Sequence, residues 1–146
     1  MNRQVSVSDS ESDTSYTADL IQTDAVKNYI IPHRDFKKDP QWIAYAEEAD
    51  IVNVALFGFT AKAWREMNPE LAKKNNVRDF ATIHELTVLS NLETHNAHMI
   101  REGKNKEERF QILKEIAEYQ FNILSTAEQI KMAETCDDRT LFQPVL

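Results

Sequence analysis

Apolar residues recur at helical spacing in four stretches of this chain, separated by turn and capping signals. Residues 18–31 carry Ile21, Ala25, Val26, Tyr29 and Ile30 on such a repeat, and Pro32 stops it. A second helix is expected over 40–57, with Asp39 as its cap, Pro40 at its first position and Gly58 as a left-handed stop. Its alanines permit close approach of a neighbour, while Trp42, Ile43, Ile51, Val54 and Phe57 supply area to bury. Thr60 and then Asn68-Pro69 mark two short turns, so the middle of the chain reads as a knuckle of short helices with Trp64 as its core anchor. Thr82 with Glu85, and Asn105 with Glu108, have capping-box spacing. They open helices over 83–102, closed by Gly103, and over 106–134. On the first of these, Leu86, Val88, Leu89, Leu92, Met99 and Ile100 share one side, opposite His84, Asn91, Thr94 and His98.

The last helix is the most informative. Phe110, Leu113, Ala117, Phe121 and Leu124 form one apolar seam, and Ile112, Ile116, Tyr119, Ile123, Ile130 and Ala133 form a second. The first seam fades after Leu124, where Glu128 and Lys131 take its place, whereas the second continues at near-heptad steps with isoleucine at its a-like positions. Such a helix is about 43 Å long, against about 35 Å for a compact domain of this size. Two explanations fit a second seam: burial from two sides within the fold, or contact with a copy of itself or another protein. The unequal ends of the two seams favour the second, so these six residues are the expected oligomer or partner interface.

With 146 residues, two glycines and four prolines, the chain has little material for repeated tight turns, which points to one all-α domain. The expected architecture is a small bundle of four to five helices with a long C-terminal helix. Residues 1–16, where serine alternates with Asp and Glu, read as a disordered acidic tail, 17–135 as the helical domain and 136–146 as a C-terminal tail. A net charge of −7 and a pI near 5.1 disfavour autonomous tight DNA binding. No stretch approaches the ~18 apolar residues of a membrane span, and nothing resembles a secretion signal, so a cytoplasmic location is expected.

Candidate chemistry is sparse. Two glycines 45 positions apart make no phosphate-cradling loop, which argues against nucleotide cofactors. The single cysteine, Cys136, lies beside Glu134, Asp137 and Asp138, which oppose a thiolate. His84, Glu85, Glu93, His95 and His98 lack the spacing of a zinc helix, and a polar helical face accounts for them. No catalytic residue, metal site or cofactor is therefore expected. Positive charge does gather at Lys62, Arg65, Lys73, Lys74 and Arg78, the candidate nucleic-acid contacts, although Glu66, Glu70 and Asp79 interleave with them.

Several collinear blocks point to a family. Thr23-Asp24-Ala25-Val26-Lys27, Glu48 through Gly58, Thr60 through Glu70, Asn76-Val77-Arg78-Asp79-Phe80-Ala81, Leu89-Ser90-Asn91-Leu92-Glu93 and Asn96-Ala97 resemble the region that follows the DNA-binding domain in KilA-N proteins of phages and bacteria. The resemblance spans about 23–124. It implies a helical accessory domain of a phage- or mobile-element-related regulatory protein and no known reaction; the KilA-N module itself has no counterpart here, so DNA binding is not carried over. Within these blocks Arg78-Asp79 is expected to tie the knuckle to the following helix, and Asn91, Glu93 and Asn96 to satisfy backbone groups at helix edges. A ligand pocket at Trp64, Arg65, Arg78 and Asn91 is the lesser alternative.

The expectation is thus a non-enzymatic module that forms a homodimer or docks a protein partner through the last helix. The alternatives are an auxiliary nucleic-acid binder using residues 62–78 and an antitoxin-like neutraliser of a partner protein.

Overall fold

The computed structural model describes residues 7–135, with side chains from Tyr16 to Ala133. Five α-helices run in the order α1 (Val7–Ala25), α2 (Trp42–Phe57), α3 (Ala61–Met67), α4 (Ile83–Arg101) and α5 (Lys106–Thr135). No strand occurs among the described residues, so the expected all-α bundle with a long final helix is what the chain forms. The expected tail beyond residue 135, with Cys136, lies outside the described residues.

Helix boundaries follow local chemistry, with four departures. The first is at α1, which begins at Val7, so residues 7–16 are helical backbone rather than part of a disordered tail; residues 1–6 lie outside the described residues. An acid-rich sequence suits the positive end of a helix dipole, which offsets the lack of an apolar face there. Second, α1 does not run regularly to Pro32: it passes into a π-turn at Val26–Ile30 and a 3-10 turn at Ile31–His33. Third, α2 starts at Trp42 without a side-chain cap, so Asp39 is not its cap; Ile43 N–H donates to Pro40 O and Ala44 N–H to Gln41 O, forming a tight turn first. Fourth, Asn68 ends α3 instead of starting a helix. Its amide donates to Trp64 O at 3.0 Å, and only a 3-10 turn, Leu71–Lys73, follows.

The other caps are as expected. Gly58 closes α2 at φ +84°, a backbone geometry that suits a residue without Cβ. Thr60 accepts from Ala63 N–H at 3.1 Å. Thr82 and Glu85 form a reciprocal box at the start of α4, and Asn105 accepts from Glu108 N–H at the start of α5.

The core shows which helix is central. Val52 and Ala55 of α2, Val88, Leu89, Leu92 and Met99 of α4, and Leu113 and Ala117 of α5 make the main cluster. Ala25, Val26, Ala44, Ala97 and Ile100 make a second one nearer α1. Helix α4 packs on α1, α2 and α5 and also buries Ser90, Glu93 and Asn96, so the helix covered from several sides is α4, not α5. Its apolar positions alone span one side; the polar residues that widen its buried surface are invisible to a hydrophobic projection. Trp64 is buried with its ring 5.8 Å from Phe80, anchoring the knuckle as expected.

Candidate functional site

Helix α5 carries both an inward seam and an outward one. Leu113 and Ala117 are buried, Phe110 and Leu124 pack against the core, and Phe121 lies at its margin. Of the second seam, Ile112 and Ile116 also lean on the core, so they are partly used within the chain. Three of the remaining four are open, with Tyr119 69% exposed, Ile123 48% and Ile130 52%, while Ala133 is half-buried. His84, in the first turn of α4, meets Glu128 of α5, which marks how far along α5 the neighbouring helix reaches. Residues 126–132 are all exposed, so the last turns of this roughly 45 Å helix extend past that level.

The border of the outward seam is nearly uncharged. Reading Ile116, Ile123 and Ile130 as a positions, the flanking e and g positions are Gln120, Asn122, Ala127 and Gln129. Gln120 accepts a hydrogen bond from Asn91 of α4 at 2.9 Å, fixing one edge of the stripe to the bundle. In a chain of net charge −7, a neutral border around isoleucines is where like molecules meet with least repulsion.

The five basic residues of the knuckle take separate roles. Arg78 reaches α4 and binds Glu93 at 3.4 Å, as the expected tie between knuckle and helix. Its side chain stays about one-third exposed, at 32%. Lys73 pairs with Glu70 at 3.0 Å, and Arg65 acts on Asp50, whose carboxyl burial pushes up and Arg65 pulls back down. Lys62 and Lys74 are exposed. Nor do Trp64, Arg65, Arg78 and Asn91 converge on a pocket, since Asn91 turns to Gln120 of α5 while Arg78 meets Glu93, two residues and about 200° away around α4.

The polar interior is the feature that sequence reasoning missed. Gln22 of α1, Glu48 of α2, Asn96 of α4 and Arg109 of α5 meet in the core, each nearly free of solvent. Asn96 donates to Gln22 at 3.0 Å and to Glu48 at 2.9 Å, and accepts from Arg109 at 2.8 Å. Arg109 also donates to both Glu48 oxygens and, through Nε, to Lys104 O at 3.0 Å. Thus Asn96 bonds side chains of three other helices instead of backbone groups at its own helix edge. The charges cancel and the amide is fully used, which makes the cluster a register lock for four helices. A signal existed: Glu48 continues the stripe of Ala44, Val52 and Ala55, and Asn96 that of Leu89, Leu92 and Ile100, so each is a polar residue at a core position.

Glu93 stands beside this lock. It too is wholly buried, yet Oε1 has no hydrogen-bond donor. Burial pushes its carboxyl up to about 7; Arg78 pulls the other way and Asp19 of α1 adds to the rise.

Among the described residues no group of three His, Cys, Asp or Glu side chains is placed to hold a metal ion. His98 pairs with Glu102 at 3.1 Å and His95 is exposed. A cleft of about 350 Å³ lies between α2, α4 and α5, lined by Ala55, Ala117, Phe121, Glu85 and Glu118 among others. It gathers no nucleophile with a base. No described helix is long and apolar enough to cross a membrane. No protein-family model, curated protein or solved structure matches this chain.

Proposed function

We propose that this chain is a non-catalytic association module that pairs with a second copy through the outward stripe of α5, within a phage- or mobile-element-type regulatory protein. The observation that carries the pairing is the stripe itself. Tyr119, Ile123 and Ile130 stand exposed along the outer side of α5, Ile130 beyond the level that α4 reaches, and the border between them is neutral. An exposed apolar stripe at heptad spacing is stabilised by knobs-into-holes contact with a like helix. The regulatory setting rests on the sequence blocks between Thr23 and Ala97 described above.

Light scattering on wild type and on Ile123→Glu/Ile130→Glu tests the reading. A wild-type dimer that becomes a folded monomer supports it. A wild-type monomer at 100 μM or above (about ten times a Kd worth ~7 kcal/mol) rules self-pairing out.

A further inference from the structure

We propose that residues 136–146 fold back along α5 and seat Leu141, Phe142 and Val145 in the cleft between α2, α4 and α5, with Arg139 drawn to Glu85. The cleft is where the inward seam of α5 loses its cover. Helix α2 ends at Phe57, two residues beyond the Ala55 that lines the cleft with Leu56, Ala117 and Phe121. Helix α5 runs on for fourteen residues past Phe121, and that ring, although it belongs to the inward seam, stays 38% exposed. Glu85 and Glu118 line the same cleft, and among the described residues no lysine or arginine pairs with either. An occupant that suits it has an apolar body and a positive charge.

Residues 136–146 carry both, with Arg139 just ahead of Leu141, Phe142 and Val145. Their reach fits. Phe121 and Ala117 lie about 21–27 Å behind Thr135 along the helix axis. Leu141 to Val145 stand at about 20–33 Å of extended chain beyond it, which brackets that distance and leaves slack for the turn.

The charges fall into register along the same path. Asp137 and Asp138 pass the level of Lys131, which is exposed. Arg139 reaches about 13 Å back, close to Glu128 at about 10 Å. Glu128 meets His84, so Glu85, the next residue of α4, is the carboxylate near that level. Each charge of the returning segment thus finds its opposite on the helices it crosses.

Disulfide trapping in the full chain tests this, in a Cys136→Ser background with Gln143→Cys. The second cysteine is placed either in the cleft, by Asn122→Cys, or at exposed Ala127, about 140° away around α5, by Ala127→Cys. A segment without a seat closes both loops at rates within about two-fold, the shorter one to position 127 being the faster. A seated segment closes on position 122 faster by on the order of ten-fold. Phe142→Ser is expected to bring the two rates back within about two-fold, and Arg139→Glu to lower the preference about three-fold. Equal rates in the parent, or a preference that survives Phe142→Ser, overturn the proposal. Disulfides that join two chains overturn it as well, since the occupant is then a second copy's segment. Amide shifts of Ala55 and Ala117 read the same contact without new cysteines and decide the matter if a cysteine variant does not fold. They are expected to move between wild type and Phe142→Ser; unchanged shifts overturn the proposal.

Discussion

Arg109, in the first turn of α5, donates through both terminal nitrogens to the carboxylate of Glu48, midway along α2, with both side chains almost wholly out of solvent. The pair sets α2 and α5 side by side, and further along Ala55 and Ala117 belong to the same core cluster and line the same cleft. Asn96 and Gln22 extend the contact to α4 and α1.

Removing one member of this pair should be far worse than removing both. Arg109→Met alone or Glu48→Met alone strands a buried charge and is expected to cost about 3–5 kcal/mol. Glu48→Met/Arg109→Met should recover much of that loss, the remainder reflecting the Asn96 groups left without partners. Urea denaturation of the three variants gives the comparison, and a double variant no better than the worse single would show that the pair is not the organising contact.

Acid should act on a different pair. Glu47 of α2 sits between Arg34 and Lys106, and the Arg34 hydrogen bond in particular holds its carboxyl down at about 2. Its contribution is complete above the ordinary carboxylate value and is lost as pH falls through about 2. Because the site is one-third exposed, Glu47→Gln is expected to cost under ~1 kcal/mol at pH 7. That gap should narrow steadily between pH 4.5 and pH 2, as read from urea midpoints; a gap that widens in acid would contradict the assignment.

Two caps allow local chemistry to be measured without disturbing the core. Gly58 has open space where a Cβ would stand, so Gly58→Ala should cost about 1 kcal/mol from the positive φ alone. Thr82→Ala removes the acceptor for Glu85 N–H and should cost about 1 kcal/mol. Thermal melts of the two variants check both values.

The two seams of α5 should separate cleanly by mutation. Leu113→Ala opens a cavity in the core and is expected to cost about 2–5 kcal/mol at any protein concentration. Ile130→Ser touches no core contact, so its effect on the single chain should stay within about 0.5 kcal/mol. If the stripe pairs two copies, the wild-type melting temperature rises with concentration and that of Ile130→Ser does not.

Helix positions were legible in the sequence because their determinants are local. Thr82 with Glu85, Asn105 with Glu108, and Gly58 each act within a few residues, and the spacing of Leu89, Leu92, Leu113 and Ala117 already marks core-facing sides. The stripe of Tyr119, Ile123 and Ile130 was equally readable, since periodicity shows that a seam exists. Periodicity does not show what covers a seam. Which of two amphipathic helices becomes central depends on contacts between residues far apart in the chain, and here α4 takes that place by burying Glu93 and Asn96 among its neighbours. The same reason hid the register lock. Gln22, Glu48, Asn96 and Arg109 are ordinary polar residues along the sequence, and only tertiary packing brings them to one point, removes their water and makes each the other's partner.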